Sequence, residues 1–314
     1  MPFSRSLPAS AALALLTIAA CGPEIAGTQA SPDRLAAIPA SAIKALPQTD
    51  PQPPLMLSAD FNDPVPLPAT INTAGAEDSP FILPDGNKLY FFFTPDVSLP
   101  AERQVADGVS GIYVATWSGG TWSPAQRVLL QDSGKLALDG CEFVLGDRMW
   151  FCSAREGYTG LNWFTADHLD GTWSNWTLAN FDPTLAVGEL HISAGGDQLF
   201  FGSDRPGGKG GLDIWMSASL NGEWQAPVNV AAVNSSDDEG WPALSADGSE
   251  LWFYRNWAIW RSRSLAGQWT EPELIVSPLA GEPSLDSAGN LYFVHHYYSG
   301  DTMLEADIYV AARR

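Results

Sequence analysis

The sequence predicts an all-β fold, a five-bladed β-propeller made of four-stranded antiparallel blades. Three observations support this prediction. A strand core of one aliphatic residue, one aromatic residue and Phe occurs five times, Trp residues recur at a blade-sized period, and a stretch near the N-terminus resembles the strand that the last repeat lacks. Such repeats are typical of solenoids and propellers, because one unit cannot bury both of its faces alone.

The repeat is clearest between residues 189 and 242, where turn signals separate four short apolar runs. The runs His191–Ser193, Leu199–Gly202, Leu212–Ser217 and Trp224–Val228 have the lengths of strands. The dipeptide Asn221-Gly222 favours a tight hairpin turn before the last of them. This segment therefore predicts one small antiparallel sheet.

Aligning the chain on the second of these strands gives the other repeats. The second-strand cores are Leu89-Tyr90-Phe91, Met149-Trp150-Phe151, Leu199-Phe200-Phe201, Leu251-Trp252-Phe253 and Leu291-Tyr292-Phe293. The predicted third strands are Ile112–Ala115, Asn162–Ala166, Ile214–Ser217, Ile259–Ser262 and Ile308–Ala311. The predicted fourth strands open with Trp122, Trp173, Trp224 and Trp269, which are 51, 51 and 45 residues apart.

The fifth repeat ends at Arg314 without a fourth strand. The stretch Phe61–Leu67 resembles Trp224–Val230, which begins with a fourth strand. We therefore expect Phe61–Leu67 to complete the last sheet, which would close the ring and remove its exposed edges. An open β-sandwich with similar turns is the alternative.

The first 20 residues predict a signal peptide. Arg5 is followed by the apolar run Ala11–Ala20, which is too short to persist as a membrane span. Its end, Ile18-Ala19-Ala20-Cys21, resembles the lipobox of bacterial lipoproteins, which implies lipidation of Cys21 and a bacterial outer-membrane location facing the periplasm. An ordinary secretory signal is the alternative. Residues 21–55 are rich in Ala and Pro and predict a flexible tether, and residues 56–314 form the predicted propeller.

The composition argues against some classes of binding partner. The formal net charge of −20 argues against binding to nucleic acid and against adhesion to an anionic bilayer. It suits an extracytoplasmic monomer that attracts cations or basic partners. Besides Cys21, the chain has Cys141 and Cys152 on either side of a predicted hairpin, and both a cross-strand disulfide and two buried thiols are open alternatives.

Several sequence motifs resemble those of a known protein family. Pro84-Asp85-Gly86 before Leu89-Tyr90-Phe91, Ser203–Gly208 before Asp213-Ile214-Trp215, and Gly222–Pro227 resemble the TolB-type, WD40-like (PD40-type) propeller repeats of bacterial envelope proteins. The resemblance covers residues 57–312. It implies a propeller in the cell envelope that binds other molecules there.

Acidic residues precede each predicted first strand. Because first strands converge on the central channel of a propeller, we expect these acids to form a negative rim that binds ligands. The predicted ligand-binding residues are Glu77, Asp78, Asp139, Glu189, His191, Glu239, Trp241 and Glu282, with Glu142 close to Asp139. Ca²⁺, cationic groups and sugar hydroxyls would all suit such a rim. Alternatively, the acids cap turns and bind backbone amides.

An enzymatic alternative rests on a second resemblance. Five-bladed glycoside hydrolases of the arabinanase and invertase type use one carboxylate from each of the first three blades. Asp78, Asp139 and Glu189 occur in that order and would act as base, orienting acid and proton donor. The motifs around those carboxylates are not matched here.

Taken together, the residues favour a lipid-anchored, non-catalytic propeller that binds a partner protein or an envelope glycan at its acidic channel mouth. We expect no resident cofactor, with Ca²⁺ at the rim as the exception to be tested. A glycoside hydrolase and a purely structural scaffold are the alternatives.

Overall fold

A computed structural model describes residues 33–181 and 189–314. The predicted signal peptide and the predicted lipidation site at Cys21 lie outside these ranges. The described residues are mainly strands, with short helices at Arg34–Ala37 and Ala101–Asp107. Within them, no helix has both the length and the apolar character required to cross a membrane.

The strands follow the sequence repeats. The chain begins with α1 (Arg34–Ala37), β1 (Leu55–Met56) and β2 (Val65–Pro66). Unit 1 contains β3 (Ala76–Ile82), β4 (Lys88–Thr94), α2 (Ala101–Asp107), β5 (Gly111–Ser118), β6 (Thr121–Trp122) and β7 (Gln126–Arg127). Unit 2 contains β8 (Ala137–Leu145), β9 (Arg148–Arg155), β10 (Leu161–Leu169) and β11 (Thr172–Leu178).

The second half of the chain repeats the pattern. Unit 3 contains β12 (Leu190–Ile192), β13 (Gln198–Ser203), β14 (Asp213–Leu220), β15 (Glu223–Trp224) and β16 (Val228–Asn229). Unit 4 contains β17 (Glu239–Leu244), β18 (Glu250–Arg255), β19 (Ala258–Leu265), β20 (Gln268–Trp269) and β21 (Glu273–Ser277). Unit 5 contains β22 (Ala280–Leu285), β23 (Leu291–Ser299) and β24 (Thr302–Ala311). Within each unit, neighbouring strands pair antiparallel.

The second strand of each unit is buried on both faces, as its continuous apolar run requires. In β4, Leu89 and Phe91 belong to one core cluster and Tyr90 to another. The first cluster lies between units 5 and 1, because it also contains Ile308, and the second lies between units 1 and 2, because it also contains Phe151. Each further pair of consecutive units shares a similar cluster. Packing between units thus replaces the core that a single sheet lacks.

The first strands of successive units touch one another. β3 contacts β8, β8 contacts β12, β12 contacts β17, β17 contacts β22, and β22 contacts β3. The starts of these strands, where the predicted acidic residues lie, are therefore brought close together.

The stretch Phe61–Leu67 joins the last unit. Val65 and Pro66 of β2 pair antiparallel with Val310 and Tyr309 of β24, and Phe61 forms a bridge with Arg313. This is the pairing that the sequence predicts. β24 also makes one parallel pair with β3, between Ala306 and Ala76, which links units 5 and 1.

Residues 33–57, here called the strap, depart from the sequence prediction. A flexible tether was expected up to residue 55, yet within the described part Arg34 is only 6% exposed and β1 pairs with β21. The reason is electrostatic. Arg34 and Lys44 form ion pairs with buried carboxylates of the units, which a composition rich in Ala and Pro does not reveal.

The two remaining cysteines form a disulfide. Cys141 and Cys152 are bonded, with their Cα atoms 5.4 Å apart. They are not direct cross-strand partners, because Cys152 faces Gly140 and Cys141 lies in the adjoining β-bulge. The structure thereby decides between the two alternatives that the sequence left open.

Candidate functional site

A β-bulge interrupts the first strand of four units. It occurs where the register shifts, at Asp78/Phe81, Gly140/Phe143, Gly240/Ala243 and Gly281/Ser284. One residue in each bulge has a positive φ angle: Ser79 (49°), Cys141 (53°), Trp241 (50°) and Glu282 (54°). A bulge turns side chains away from the regular alternation. Acids on its two sides therefore reach different surroundings.

The acids before the bulge form one group, here called the clamp carboxyls: Glu77, Asp139 and Glu239. Each is 0% exposed and forms an ion pair with an arginine. The nitrogen-to-oxygen distances are 3.0 Å from Arg34 to Glu77, 2.7 Å from Arg155 to Asp139, and 2.5 Å from Arg255 to Glu239.

Neighbouring hydroxyl groups complete the clamps. The hydroxyls of Thr73 and Ser153 donate to Glu77 and Asp139 over 2.6 Å, and that of Ser235 donates to Glu239 over 2.5 Å. Backbone N–H groups of Thr73 and Ser235 also donate to their carboxylates. These three predicted site residues therefore have the structural role that was the alternative for the rim.

A second group is here called the axial carboxyls: Asp78, Glu142 and Glu282, which lie at or next to a bulge, and Glu189, which directly precedes β12. Glu189 lies two residues before His191, which faces Phe200 across the sheet, and Glu282 lies two residues before Ser284, which faces Tyr292. Both thus occupy the same register position, although the chain around them differs. The clamp carboxyls lie four residues before the positions that correspond to His191 and Ser284 in their own units.

Three axial carboxyls line one central cavity. The centres of water-sized molecules can occupy about 30 Å³ of it. Its lining includes Glu142, Glu189 and Glu282 together with Ser79, His191 and Trp241. Units 1 to 5 each contribute lining residues, as expected from the contacts between first strands. Among the described residues, no Lys or Arg is part of the lining.

Ser79 holds two of the axial carboxyls. Its backbone N–H donates to Glu282 Oε2 over 2.6 Å, and its hydroxyl donates to Glu189 Oε1 over 2.9 Å. The same N–H lies 3.0 Å from Asp78 Oδ1, which is also 3.8 Å from His296 Nε2. The left-handed φ of Ser79 aims its N–H at the carboxyls, which is the contribution of the bulge.

Glu142 has no such support. Its residue is 4% exposed, and neither carboxyl oxygen has a hydrogen-bond partner from another described residue. A buried polar group without a partner costs about 1–3 kcal/mol, and more when it is charged. A proton, a water molecule or a cationic group in the cavity would reduce this cost.

Burial changes the acidity of the site. It raises the pKa of Glu142 well above its usual range, and the negative charges of Glu189 and Asp78 act in the same direction. Burial raises the pKa of Glu189 to about 7, although the Ser79 hydroxyl lowers it. The pKa of Glu282 is also raised well above its usual range by burial and by Asp78 and Glu189. The cavity therefore holds carboxyls that are partly protonated near neutral pH.

The two other predicted site residues also line the cavity. Burial lowers the pKa of His191 to about 3, so its imidazole is neutral at physiological pH and packs on Phe143 with ring centroids 4.8 Å apart. Trp241 lies in the bulge of unit 4, and its ring centroid is 5.0 Å from that of Tyr254. Neither side chain supplies positive charge to the carboxyls.

The structure separates the eight predicted site residues. Glu189, His191, Trp241 and Glu282 line the cavity, Asp78 adjoins it, and Glu77, Asp139 and Glu239 belong to the clamps. The three residues of the alternative catalytic set are divided in the same way. Asp139 is bound by Arg155, whereas Asp78 and Glu189 lie at the cavity. Ser79 was not predicted, since nothing in its local sequence signals a positive φ. Glu142 was noted only as a neighbour of Asp139.

Within residues 33–181 and 189–314, no group of three or more His, Cys, Asp or Glu side chains has an arrangement suited to a metal ion. The axial carboxyls are donors of the kind that Ca²⁺ prefers. Asp78, Glu189 and Glu282 are held here by Ser79, whereas Glu142 has no partner from another described residue. Their common property is negative charge in a small buried space.

Comparison with known proteins finds similarity to solved structures. No protein-family model matches the chain, and no curated protein matches it. A protein from Agrobacterium tumefaciens assigned to TolB is 17% identical, with 74% of each chain covered and a TM-score of 0.44. A gluconolactonase from Xanthomonas campestris is 12% identical, with 83% of this chain and 95% of that chain covered and a TM-score of 0.47. An endo-arabinase from Bacteroides thetaiotaomicron is 16% identical, with 79% and 96% covered and a TM-score of 0.49.

Proposed function

We propose that the five units are the blades of a five-bladed β-propeller, with β2 completing the last blade. The contacts between first strands support this, because they run from unit 1 through unit 5 and back to unit 1. The core clusters support it as well, since one lies between each pair of consecutive units, including units 5 and 1. In this arrangement the axial carboxyls surround the central axis.

We further propose that the protein is a non-catalytic binding module whose axial carboxyls take a cationic group from a partner protein or from an envelope glycan. The observation that carries this proposal is Glu142, which is buried, lines the cavity and lacks a hydrogen-bond partner from another described residue. A bound cation would satisfy its oxygens. It would also offset the repulsion among Glu142, Glu189 and Glu282.

The size of the cavity limits the group. About 10–15 Å³ of such space holds one water molecule, so a cavity of about 30 Å³ takes one or two groups of that size. A primary ammonium fits this space, whereas a whole sugar ring does not. The partner would therefore insert an amine, such as a lysine side chain or an amino sugar substituent, and leave its bulk outside.

Binding of defined amines tests the proposal. Lysine peptides and glucosamine oligomers are compared with their N-acetylated counterparts, which have the same shape without the positive charge. We expect the charged forms to bind, and Glu142→Gln to weaken binding at least tenfold. Exposed Glu223 provides the matched control, since Glu223→Gln changes net charge equally and should leave binding unchanged. Equal binding of charged and acetylated probes would contradict the proposal.

The same preparation tests Ca²⁺. If the axial carboxyls bind Ca²⁺, millimolar Ca²⁺ should raise the melting temperature of the wild type and not that of Glu142→Gln. Mg²⁺ serves as the control for ionic strength. An equal rise in both proteins would place Ca²⁺ elsewhere on the acidic surface.

A glycoside hydrolase is the second candidate function, and the acidity of Glu189 favours it. A carboxyl with a pKa of about 7 can protonate a leaving group at neutral pH. Asp139 would have no direct part, because Arg155 and Ser153 bind it. Incubation with arabinan and a panel of nitrophenyl glycosides tests this function. Release of sugar that Glu189→Gln abolishes and Glu223→Gln retains would favour hydrolysis over simple binding.

We propose a lipid-anchored location in the bacterial envelope, on the basis of the lipobox-like segment Ile18-Ala19-Ala20-Cys21 and the TolB-type repeats. Mass spectrometry of the mature protein should show an acylated N-terminal Cys21. Substitution of Cys21 by Ser should release the protein from membranes into the soluble fraction. A mature N-terminus at another residue would contradict this proposal.

A further inference from the structure

The clamps differ between units in where their two partners come from. In unit 4, Glu239 of β17 pairs with Arg255 of β18, which is its direct cross-strand neighbour. In unit 2, Asp139 of β8 pairs with Arg155 of β9. Both members of these clamps belong to the same sheet. The clamp is therefore a local feature of the repeat in these two units.

Unit 1 supplies only the acid. The cross-strand neighbour of Glu77 is Phe93, so the sheet offers no arginine at the position of Arg255. Arg34 of the strap takes its place, donating to Glu77 Oε1 over 3.0 Å and to the carbonyl oxygens of Thr70 and Ile71 over 2.8 Å each. The guanidinium also lies over the Phe93 ring at 5.2 Å.

Unit 5 supplies only the basic partner. Ala280 occupies the position of the acid, and its cross-strand neighbour is His295, which is 0% exposed. Asp50 of the strap provides the missing carboxylate, with Oδ2 at 2.8 Å from His295 Nε2. The strap thus completes one clamp with a cation and another with an anion.

A third contact fixes the middle of the strap. Lys44 Nζ donates to Glu305 Oε1 over 2.8 Å and also binds Asp307, and both acids lie on β24. The backbone N–H of Ala45 donates to the same oxygen of Glu305 over 3.0 Å. Glu305 and Asp307 are each 1% exposed, so Lys44 is the cation that offsets them.

Apolar contacts of the strap with the core clusters come from the partly buried Ala37, Ile38 and Met56. The large aliphatic side chains of the strap point mostly to solvent: Leu35 is 59% exposed, Ile43 86%, Leu46 51%, Leu55 56% and Leu57 53%. Buried ion pairs gain little net free energy, because the desolvation of both charges offsets their attraction. A segment attached mainly in this way can separate locally while the sheets remain folded.

We propose that the surface formed by Glu77, His295, Glu305 and Asp307 is a peptide-binding site, and that the strap is its exchangeable occupant. The site recognises a segment that carries Arg, then Lys ten residues later, then Asp six residues after that. The strap of a second copy of this chain has the same pattern and binds there when the resident strap is released. This site differs from the axial cavity, whose lining contains no strap residue.

Exchange of the strap should depend on pH, because its binding site contains ionisable groups. Burial raises the pKa of Glu77 and of Glu305 to about 7 each, and Arg34 and Lys44 lower these values from still higher ones. Docking of the strap therefore favours the charged carboxylates and tightens as pH rises through 7. Asp307 raises the pKa of both acids. Burial lowers the pKa of His295, while Asp50 acts in the opposite direction and favours the charged imidazole, which opposes the trend. Because Tyr297 and Tyr309 have raised pKa values, they stay neutral in this range.

The experiment offers the strap in trans. A fluorescent peptide of residues 33–57 is titrated into the full chain carrying Arg34→Gln, Lys44→Gln and Asp50→Asn, and into the wild type. We expect the variant to bind the peptide at least tenfold more tightly than the wild type, whose site is occupied. A peptide with the same three substitutions is the control and should not bind. Binding of the native peptide should weaken several-fold from pH 8 to pH 6.

Absence of binding to a variant with a wild-type circular dichroism spectrum would overturn the proposal, as would equal binding of both peptides. If the triple variant does not fold, hydrogen exchange of the wild type decides instead. The amides of Ala45 and Leu57 should exchange much faster than those of β18. Equal protection would show that the strap separates only when the whole protein unfolds, and the exchangeable site would be refuted.

Discussion

The clamp carboxyls and the axial carboxyls are neighbours in sequence and differ in almost every physical property. Asp139 and Glu142 lie three residues apart in β8, and both are buried. Asp139 is bound by Arg155 and by Ser153, whereas Glu142 has no partner from another described residue. The bulge between them is the cause, because it turns Glu142 toward the central cavity. Two buried acids of one strand therefore differ in their ion-pair partners, although both are hidden from solvent.

The two groups also respond differently to the loss of a charge. An axial carboxyl can take up a proton, because burial raises the pKa of Glu142 and Glu282 well above the usual range and that of Glu189 to about 7. An arginine of a clamp cannot lose its proton at accessible pH. Removing the acid of a clamp should therefore lower the stability of the protein more than removing its arginine. Loss of an axial charge should cost least.

Asp139→Asn is expected to have the largest effect. Arg155 is 3% exposed and lies over the rings of Phe164 and Trp176, so its charge would remain buried without a counterion. Breaking a buried ion pair by removing one partner costs about 3–5 kcal/mol. Urea unfolding at pH 7.5 measures the change, with Glu223→Gln as the exposed control. A loss below about 1 kcal/mol would show that Asp139 does not act as a clamp.

Arg34→Gln should have an intermediate effect of about 1–2 kcal/mol, because Glu77 can escape by protonation. Arg34 lowers the pKa of Glu77, which is about 7 in the intact clamp. The stability that Arg34 contributes is therefore present above pH 7 and is lost as pH falls through 7. Unfolding at pH 6 and pH 8 checks this, and the variant should lose more stability at pH 8. An equal loss at both values would mean that Arg34 acts through packing on Phe93 instead of through charge.

Glu189→Gln should have the smallest effect, and that effect should depend on pH. The folded-state pKa of Glu189, about 7, lies above its usual value, so folding is favoured at low pH and this contribution is lost as pH rises through 7. At pH 8 the wild type carries a buried charge that Gln lacks, and the variant should be more stable by about 1 kcal/mol. At pH 5 the difference should vanish. Lower stability of the variant at both pH values would make Glu189 a structural residue like the clamp acids.

Much of the architecture could be predicted from the sequence, because each strand is determined locally. The second-strand cores such as Leu89-Tyr90-Phe91 all lie in strands, and β2 pairs with β24 as its likeness to residues 224–230 predicts. The acids before the first strands form two groups in the structure. Their division into two groups could not be predicted, because it depends on bulges at positions such as Ser79 and Trp241, where the sequence shows no glycine.

What the sequence determined by itself was the set of repeats, since alternating apolar residues and hairpin turns act over a few neighbouring positions. What only the tertiary structure decided was which charges meet. Arg34 binds Glu77 across 43 residues, Asp50 binds His295 across 245, and Lys44 binds Glu305 across 261. Such pairs leave no local pattern, because their distances exist only once the units are packed. For this reason the strap resembled a tether in sequence, although in the structure it completes two of the clamps.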